Sequence, residues 1–327
     1  MIKVNIKKLL TINIDKLLCF KQRLKLKIFK SSLREDVSFL YKMHHINCQI
    51  NFFWRSILLK KKFFNHKKEF QKKGYTLFSN KIIEYNSHKI LEKIKSEDVF
   101  ISKDASKSTT FKFKNEPTIE FKKELIEIFN NGIDQFIKET FNSDYCILNH
   151  FLYKSERTSK NQFPTESQLW HADGNPGIGM NLMICHTSIN KDNGAMKIID
   201  WKNSIDVLTN LYFEYKQFLR YKNHLGTITD KNKVASRDIK CKILKDYIDK
   251  KSLKFFQPDS EKSGTVYVFN NNCVHAGGFT EVGYKRIVSL FHIYPSKRNR
   301  TIEEKLKICQ RKNYQGAFPK LDKVFHI

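Results

Sequence analysis

GTVYVFNNNCVHAGGFTEVGYKRIVSLFHIY, residues 264–294, carries two strands joined by a glycine-punctuated connection. Gly264-Thr265-Val266-Tyr267-Val268-Phe269 is β-branched and aromatic, a composition that suits a packed strand. Asn270-Asn271-Asn272 is a turn signal. Cys273-Val274-His275-Ala276-Gly277-Gly278 follows, and Phe279 to Lys285 reads as a turn. Arg286-Ile287-Val288-Ser289-Leu290-Phe291-His292-Ile293-Tyr294 is the clearest strand in the chain, closed by Pro295. Period two puts Arg286 on the face of Val288, Leu290 and His292. That face is apolar and should point into a core. An arginine there needs an anion, because an unpaired buried charge is costly. A dicarboxylate would supply one through a two-pronged guanidinium contact.

Upstream, Tyr145 to Tyr153 (YCILNHFLY) also reads as a strand, and Thr165 to Trp170 lead into His171-Ala172-Asp173. Residues i and i+2 of an extended segment share a face, so His171 and Asp173 point the same way. Gly174, Pro176, Gly177 and Gly179 end this strand in a tight loop. Two histidines and one carboxylate can occupy one triangular face of Fe(II), leaving positions for a cosubstrate and dioxygen. A lone His-x-Asp is ordinarily a surface turn. His275 and Arg286, each in a strand context, turn the triplet into part of a constellation. Taken singly, His275 would be a satisfied core histidine and Arg286 an interstrand ion pair. His292 reads as a buried histidine bonded to a neighbour, His150 and His186 as structural, and Trp170 as core packing.

These stretches resemble the phytanoyl-CoA dioxygenase-like branch of the Fe(II)/2-oxoglutarate oxygenases. The resemblance rests on SQLWHADGNPG (167–177), NLMICHTSINKDNGAMKII (181–199), GTVYVFNNNCVHAGG (264–278) and the strand starting at Arg286, and covers roughly residues 68 to 300. It implies that His171, Asp173 and His275 ligate iron. It implies that Arg286, eleven residues after the distal histidine, binds the far carboxylate of 2-oxoglutarate. The implied fold is a mainly β, α+β double-stranded β-helix (jelly-roll, cupin-like) with flanking helices and a helical N-terminal extension. The implied reaction consumes O2 and 2-oxoglutarate, releases succinate and CO2, and hydroxylates a small-molecule, lipid- or glycan-linked substrate. Relatives that halogenate replace the carboxylate ligand, so Asp173 speaks against halogenation. Two positions depart from the family: Thr265 stands where an aspartate is common, and Gly277 where a hydroxyl residue often helps hold the cosubstrate.

The rest of the chain sets bounds. With 327 residues and 40% hydrophobic content it can bury a large core. Its formal charge of +27 comes mostly from lysine. With the abundant asparagine, isoleucine and phenylalanine, that mixture matches an AT-rich coding bias, though an anionic substrate, a membrane surface or another anionic partner fits it too. No zinc finger, aromatic RNA-binding signature or helix-turn-helix pattern accompanies the charge. Seven cysteines without a Cys-x-x-Cys pair argue for a reducing cytoplasm rather than a disulfide scaffold. No apolar run is long enough for a transmembrane helix. The organisation expected is a basic helical extension over 1–66, an oxygenase domain over 67–300, and a tail over 301–327. The extension would pack on the domain, self-associate or rest on a membrane. Within the domain, 205–254 would be a helical insertion forming a lid or substrate wall. Helices are expected over 82–94 and 117–141. The rival functional readings are an inactive fold relative serving as a binding module, and a basic protein that binds an anionic partner.

Overall fold

A computed structural model describes residues 17, 20–21, 23–28, 35–58, 62–94, 99–101, 109–164, 166–173, 179–214 and 237–309. The chain opens with α1 (Glu35–Leu58), α2 (Phe64–Lys73), β1 (Tyr75–Phe78) and α3 (Lys81–Lys93). It continues through β2 (Phe100–Ile101), β3 (Thr110–Phe113), α4 (Pro117–Glu120), α5 (Lys122–Ile128) and α6 (Asp134–Phe141). Next come β4 (Asp144–Glu156), β5 (Met180–Cys185), β6 (Lys197–Ile198), α7 (Trp201–Glu214) and α8 (Arg237–Lys250). The last elements are β7 (Thr265–Asn270), β8 (His275–Ala276), β9 (Lys285–Ser296) and α9 (Ile302–Cys309).

The strands form a seven-stranded antiparallel sheet in the order β1-β7-β5-β9-β4-β3-β2. A smaller sheet is built on β6 and β8, and single bridges extend it on both sides, from His171 to His275 and from Ile198 to Phe256. Its order is therefore 171, β8, β6, 256. From β4 onward the chain passes repeatedly between the two sheets. In each sheet, strands from the first half (β4, 171, β5, β6) alternate with strands from the second half (256, β7, β8, β9). This interleaving is a double-stranded β-helix, a jelly roll in which two antiparallel sheets face each other.

Strand parity separates two cores. Leu182, Ile184, Val266, Val268, Ile287, Phe291 and Ile293 point out of the barrel and pack under helices through Phe121, Leu125, Ile128, Phe129, Phe136 and Ile137. The alternate residues Met183, Cys185, Tyr267, Phe269 and Val288 point inward, between the sheets, and join Ile198, Ile199 and Val274. Ile205, Leu208 and Leu211 of α7 and Leu244 and Ile248 of α8 are buried in that inner group. These helices are therefore packed layers. The part of the insertion between them, residues 215–236, lies outside the described residues, as do residues 1–16, the glycine loop at 174–178 and the tail beyond 309.

Two sequence expectations are corrected. The helix expected over 117–141 is broken: Gly132 has φ +129° and Asn131 leaves helical geometry, so the chain turns between α5 and α6. The ring of Phe63 fills the space over Gly132. Pro295 also fails to end its strand, since β9 runs to Ser296, with Pro295 opposite Tyr145. Pairing with β5 stops at Ile293, so Pro295 sits where one side of the strand is free and a missing N–H costs no ladder bond. Its carbonyl instead meets His44 Nε2 of α1 at 3.3 Å.

Helix α1 buries Tyr41, His44, His45, Cys48 and Phe52 against the end of the sheet, and Arg55 pairs with Asp144. The opposite face leaves Met43, Ile50, Trp54 and Ile57 exposed. No helix among the described residues is long and apolar enough to cross a membrane. The six described cysteines are free thiols.

The turn after β5 is pinned by a close backbone approach. A Cβ on Gly278 would collide with the carbonyl of Gly194, itself at φ +79°. Gly278→Ala is expected to cost about 2–3 kcal/mol through overpacking against backbone. That is a fall in Tm of roughly 4–12 °C, read by thermal denaturation. A change of under about 1 °C would remove this role for Gly278.

Candidate metal centre

The two histidines are placed by the small sheet. His171 and His275 face each other as an antiparallel pair, each N–H donating to the other's carbonyl at 2.8 Å. Their rings follow, with centroids 4.2 Å apart. Asp173, two residues on, is fixed by its own N–H donating to the Asn271 carbonyl at 3.0 Å. The result is a cluster in which one ligand atom from each of His171, Asp173 and His275 lies within 4.8 Å of the others. His171 Nε2 is 3.5 Å and His275 Nε2 3.9 Å from Asp173 Oδ1. Two ligand bonds of about 2.1 Å span at most roughly 4.2 Å, so both pairs already fit a shared cation.

Both rings are oriented alike. His171 Nδ1 lies 2.7 Å from the Leu169 carbonyl, and His275 Nδ1 lies 2.8 Å from the Cys273 carbonyl. A carbonyl can only accept, so each Nδ1 carries the proton and each Nε2 lone pair faces the cluster. Burial, followed by the neighbouring His171, pushes His275 down to about 4. It is thus neutral at neutral pH, the state a metal requires. Asn181 Nδ2 donates to Asp173 Oδ2 at 3.0 Å, which leaves Oδ1 toward the histidines. The donor set of two imidazole nitrogens and one carboxylate oxygen fits a divalent first-row metal on one face.

Sequence reasoning did not single out Asn181. Its signal was parity: it opens β5 on the inward face, among apolar residues, where a lone amide needs a reason. Asn181→Leu is expected to weaken divalent-metal affinity by about 10- to 100-fold, the usual cost of losing such an outer partner. Calorimetric titration with Mn(II) checks it, and an unchanged Kd would leave Asn181 a packing residue.

Arg286 lies elsewhere on the inner wall, at the start of β9. It is 5% exposed, and no carboxylate pairs with it among the described residues. Its Nη1 donates to the Gly194 carbonyl, and its buried Nε has no partner. His292, on the same face, accepts from Asn149 Nδ2 at 3.3 Å. His150 and His186 lie on the outward side, both against Ser289 Oγ, at 3.0 and 2.9 Å. Burial pushes His186 down to about 3. Trp170 packs in the inner group and meets Phe255 edge-on at 5.8 Å. At Gly277 a Cβ would lie 2.7 Å from the Ser167 carbonyl, so no hydroxyl side chain fits there.

No family model matches the chain, and neither does any curated protein. Among solved structures it is similar to SnoN, the epimerase from nogalamycin biosynthesis, seen with Fe3+, α-ketoglutarate and nogalamycin RO. That likeness has 7% identity, covers 71% of this chain and 83% of that chain, and has a TM-score of 0.45. A second is HygX from Streptomyces hygroscopicus with nickel and 2-oxoglutarate, at 10% identity, 71% and 87% coverage and TM-score 0.43. A third is EctD from S. alaskensis with 2-oxoglutarate and 5-hydroxyectoine, at 12% identity, 71% and 76% coverage and TM-score 0.45. The fold is established by the strand order rather than by these likenesses.

Proposed function

We propose that this chain is an Fe(II)- and 2-oxoglutarate-dependent oxygenase of the phytanoyl-CoA dioxygenase-like kind. It would hydroxylate a small-molecule substrate that carries an anionic group. The observation that carries the reading is the pairing of a His171–Asp173–His275 donor face, set by the small sheet, with a buried arginine on the large sheet, Arg286, that has no carboxylate partner among the described residues. Residues 67–300 would form the oxygenase domain, with 1–66 as an extension and 301–327 as a tail.

When bound, iron and 2-oxoglutarate supply the oxidising chemistry: O2 is consumed, 2-oxoglutarate is split to succinate and CO2, and one oxygen atom enters a substrate C–H bond. The protein's part is geometric. His171 and His275 present Nε2 because their Nδ1 protons are held by backbone carbonyls. Asn181 holds the second oxygen of Asp173 aside. The unpartnered Nε of Arg286 is available to a far carboxylate. Met183, Tyr267 and Val288 make the wall between them apolar. Removing a hydrogen atom from carbon needs no general base, and none is assigned.

The test is anaerobic titration of the full chain with Fe(II) and then 2-oxoglutarate. The expected result is a weak visible charge-transfer band that His171→Ala abolishes, with succinate released on admitting oxygen. Absence of both band and succinate from the unaltered protein overturns the reading in favour of a binding module.

A further inference from the structure

Beside the donor cluster, the inner face of the large sheet is unusually open. β9 runs between β5 and β4, so its flanks are sealed by pairing. Even so, Leu290 and His292 are half-buried rather than buried, and so are Phe151 and Tyr153 on β4. Phe151 is the register partner of Leu290, Asn149 of His292, and Tyr153 of Val288. Solvent can reach the β9 residues only from between the two sheets, so they line a crevice of the barrel.

The crevice has a defined chemistry. The Phe151 and Tyr153 rings stack at 5.6 Å and 26°. His292 meets Phe151 edge-on at 5.8 Å. Lys112 of β3, the register partner of Tyr153 and so on the same face, holds its ammonium 4.7 Å from the Phe151 ring centre. Lys112 is exposed and has no ion pair among the described residues. Glu116, which feels the Lys112 charge without forming an ion pair with it, takes a bond from Thr118 Oγ1 at 3.4 Å. The adjacent Lys154 behaves differently: it lies on the outward side, is buried, and is paired with Glu156 at 2.8 Å. The crevice also abuts the donor cluster, since Asn181, which bonds Asp173, is the register partner of His292. From Asn181 to Lys112 the sheet crosses three strand spacings, about 14 Å, and the register shifts four residues along β4, from Asn149 to Tyr153, about 13 Å, so the two Cα atoms lie roughly 19 Å apart.

We propose that Lys112, Phe151, Tyr153 and His292 form the substrate subsite, and that it takes a flat aromatic or fused-ring molecule bearing an anionic group. The ring lies against Phe151 and Tyr153, and Lys112 holds a carboxylate, sulfonate or phosphate. The carbon to be oxidised lies on the other side of the Phe151 ring from that anion, toward His171, Asp173 and His275. This assignment rests on the reading of those three residues as a metal site. It gives one local use for the positive charge of the chain, in place of a diffuse one.

The test uses 2-naphthoate as probe and 2-naphthylmethanol as its neutral counterpart, with binding to the full chain followed by ligand-observed saturation transfer. The acid is expected to bind about tenfold more tightly than the alcohol, since a charge-assisted contact is worth about that much. Lys112→Glu should remove this advantage and change alcohol binding less than twofold, while Lys114→Glu should leave both unchanged. With Mn(II) loaded, the naphthoate protons should broaden, and the broadening should vanish in His171→Ala. Equal binding of acid and alcohol, no acid binding at millimolar probe, or indifference to Lys112→Glu overturns the subsite. So does bound probe that Mn(II), shown calorimetrically to be present, fails to broaden. If no metal binds at all, the oxygenase reading fails by itself, because the Lys112 dependence is read in metal-free protein too.

Discussion

His275→Ala is expected to lower divalent-metal affinity at least 100-fold while leaving the metal-free protein close to its original stability. The first half follows from the donor count. Losing an outer partner alone costs about 10- to 100-fold, and here one of three direct donors disappears. The second half follows from the way the site is built. The 171–275 pair is held by reciprocal backbone bonds at 2.8 Å, which an alanine keeps. The ring gives up its contacts to His171 and to Phe269, at 5.1 Å, and the Nδ1 bond to the Cys273 carbonyl, a loss of about 1 kcal/mol for the hydrogen bond. Thermal denaturation separates the two effects. At a metal concentration of 100 times the original Kd, the unaltered protein should gain about 2.7 kcal/mol, and the variant about 0.4 kcal/mol or less. A metal-dependent Tm rise that survives His275→Ala would sink the assignment of His275 as a ligand.

The sequence disclosed the elements whose pattern is local. The alternation in 286–294 and the β-branched run of 264–269 became β9 and β7. The i, i+2 spacing of His171 and Asp173 became a shared direction even though His171 belongs to a single bridge rather than a long strand. Features depending on the partner strand could not be read. Asn181 matters because β5 places it over Asp173, a tertiary fact. Gly277 looked like a lost cosubstrate contact, yet the Ser167 carbonyl leaves room for nothing larger. The break at Gly132 was hidden by an apolar stripe that continues at helical spacing across the turn. Pro295 reads as a strand end because the sequence does not show that pairing on one side of β9 stops at Ile293.

Arg286→Met should move stability and cosubstrate affinity in opposite directions. Arg286 is buried, and among the described residues its Nε has no partner and its one bond is to the neutral Gly194 carbonyl. A guanidinium so placed bears a desolvation cost of several kcal/mol that no carboxylate among the described residues offsets. Methionine has similar reach and no charge, so it removes that cost and loses only the bond to Gly194, worth about 1.5–3 kcal/mol. The metal-free variant is therefore expected to melt at the same temperature as the unaltered protein or above it. Affinity for 2-oxoglutarate should meanwhile fall by about 100-fold or more, since truncating one partner of a buried charge pair costs about 2–5 kcal/mol. Calorimetry with 2-oxoglutarate on the Mn(II)-loaded protein measures the second effect, and metal-free thermal denaturation the first. Unchanged 2-oxoglutarate affinity removes Arg286 from the site. A Tm lowered by many degrees would mean that the charge serves the fold and has its partner within the protein. A buried cation with no carboxylate among the described residues, retained at a cost to the empty protein, is what a carboxylate-binding residue looks like before its ligand arrives.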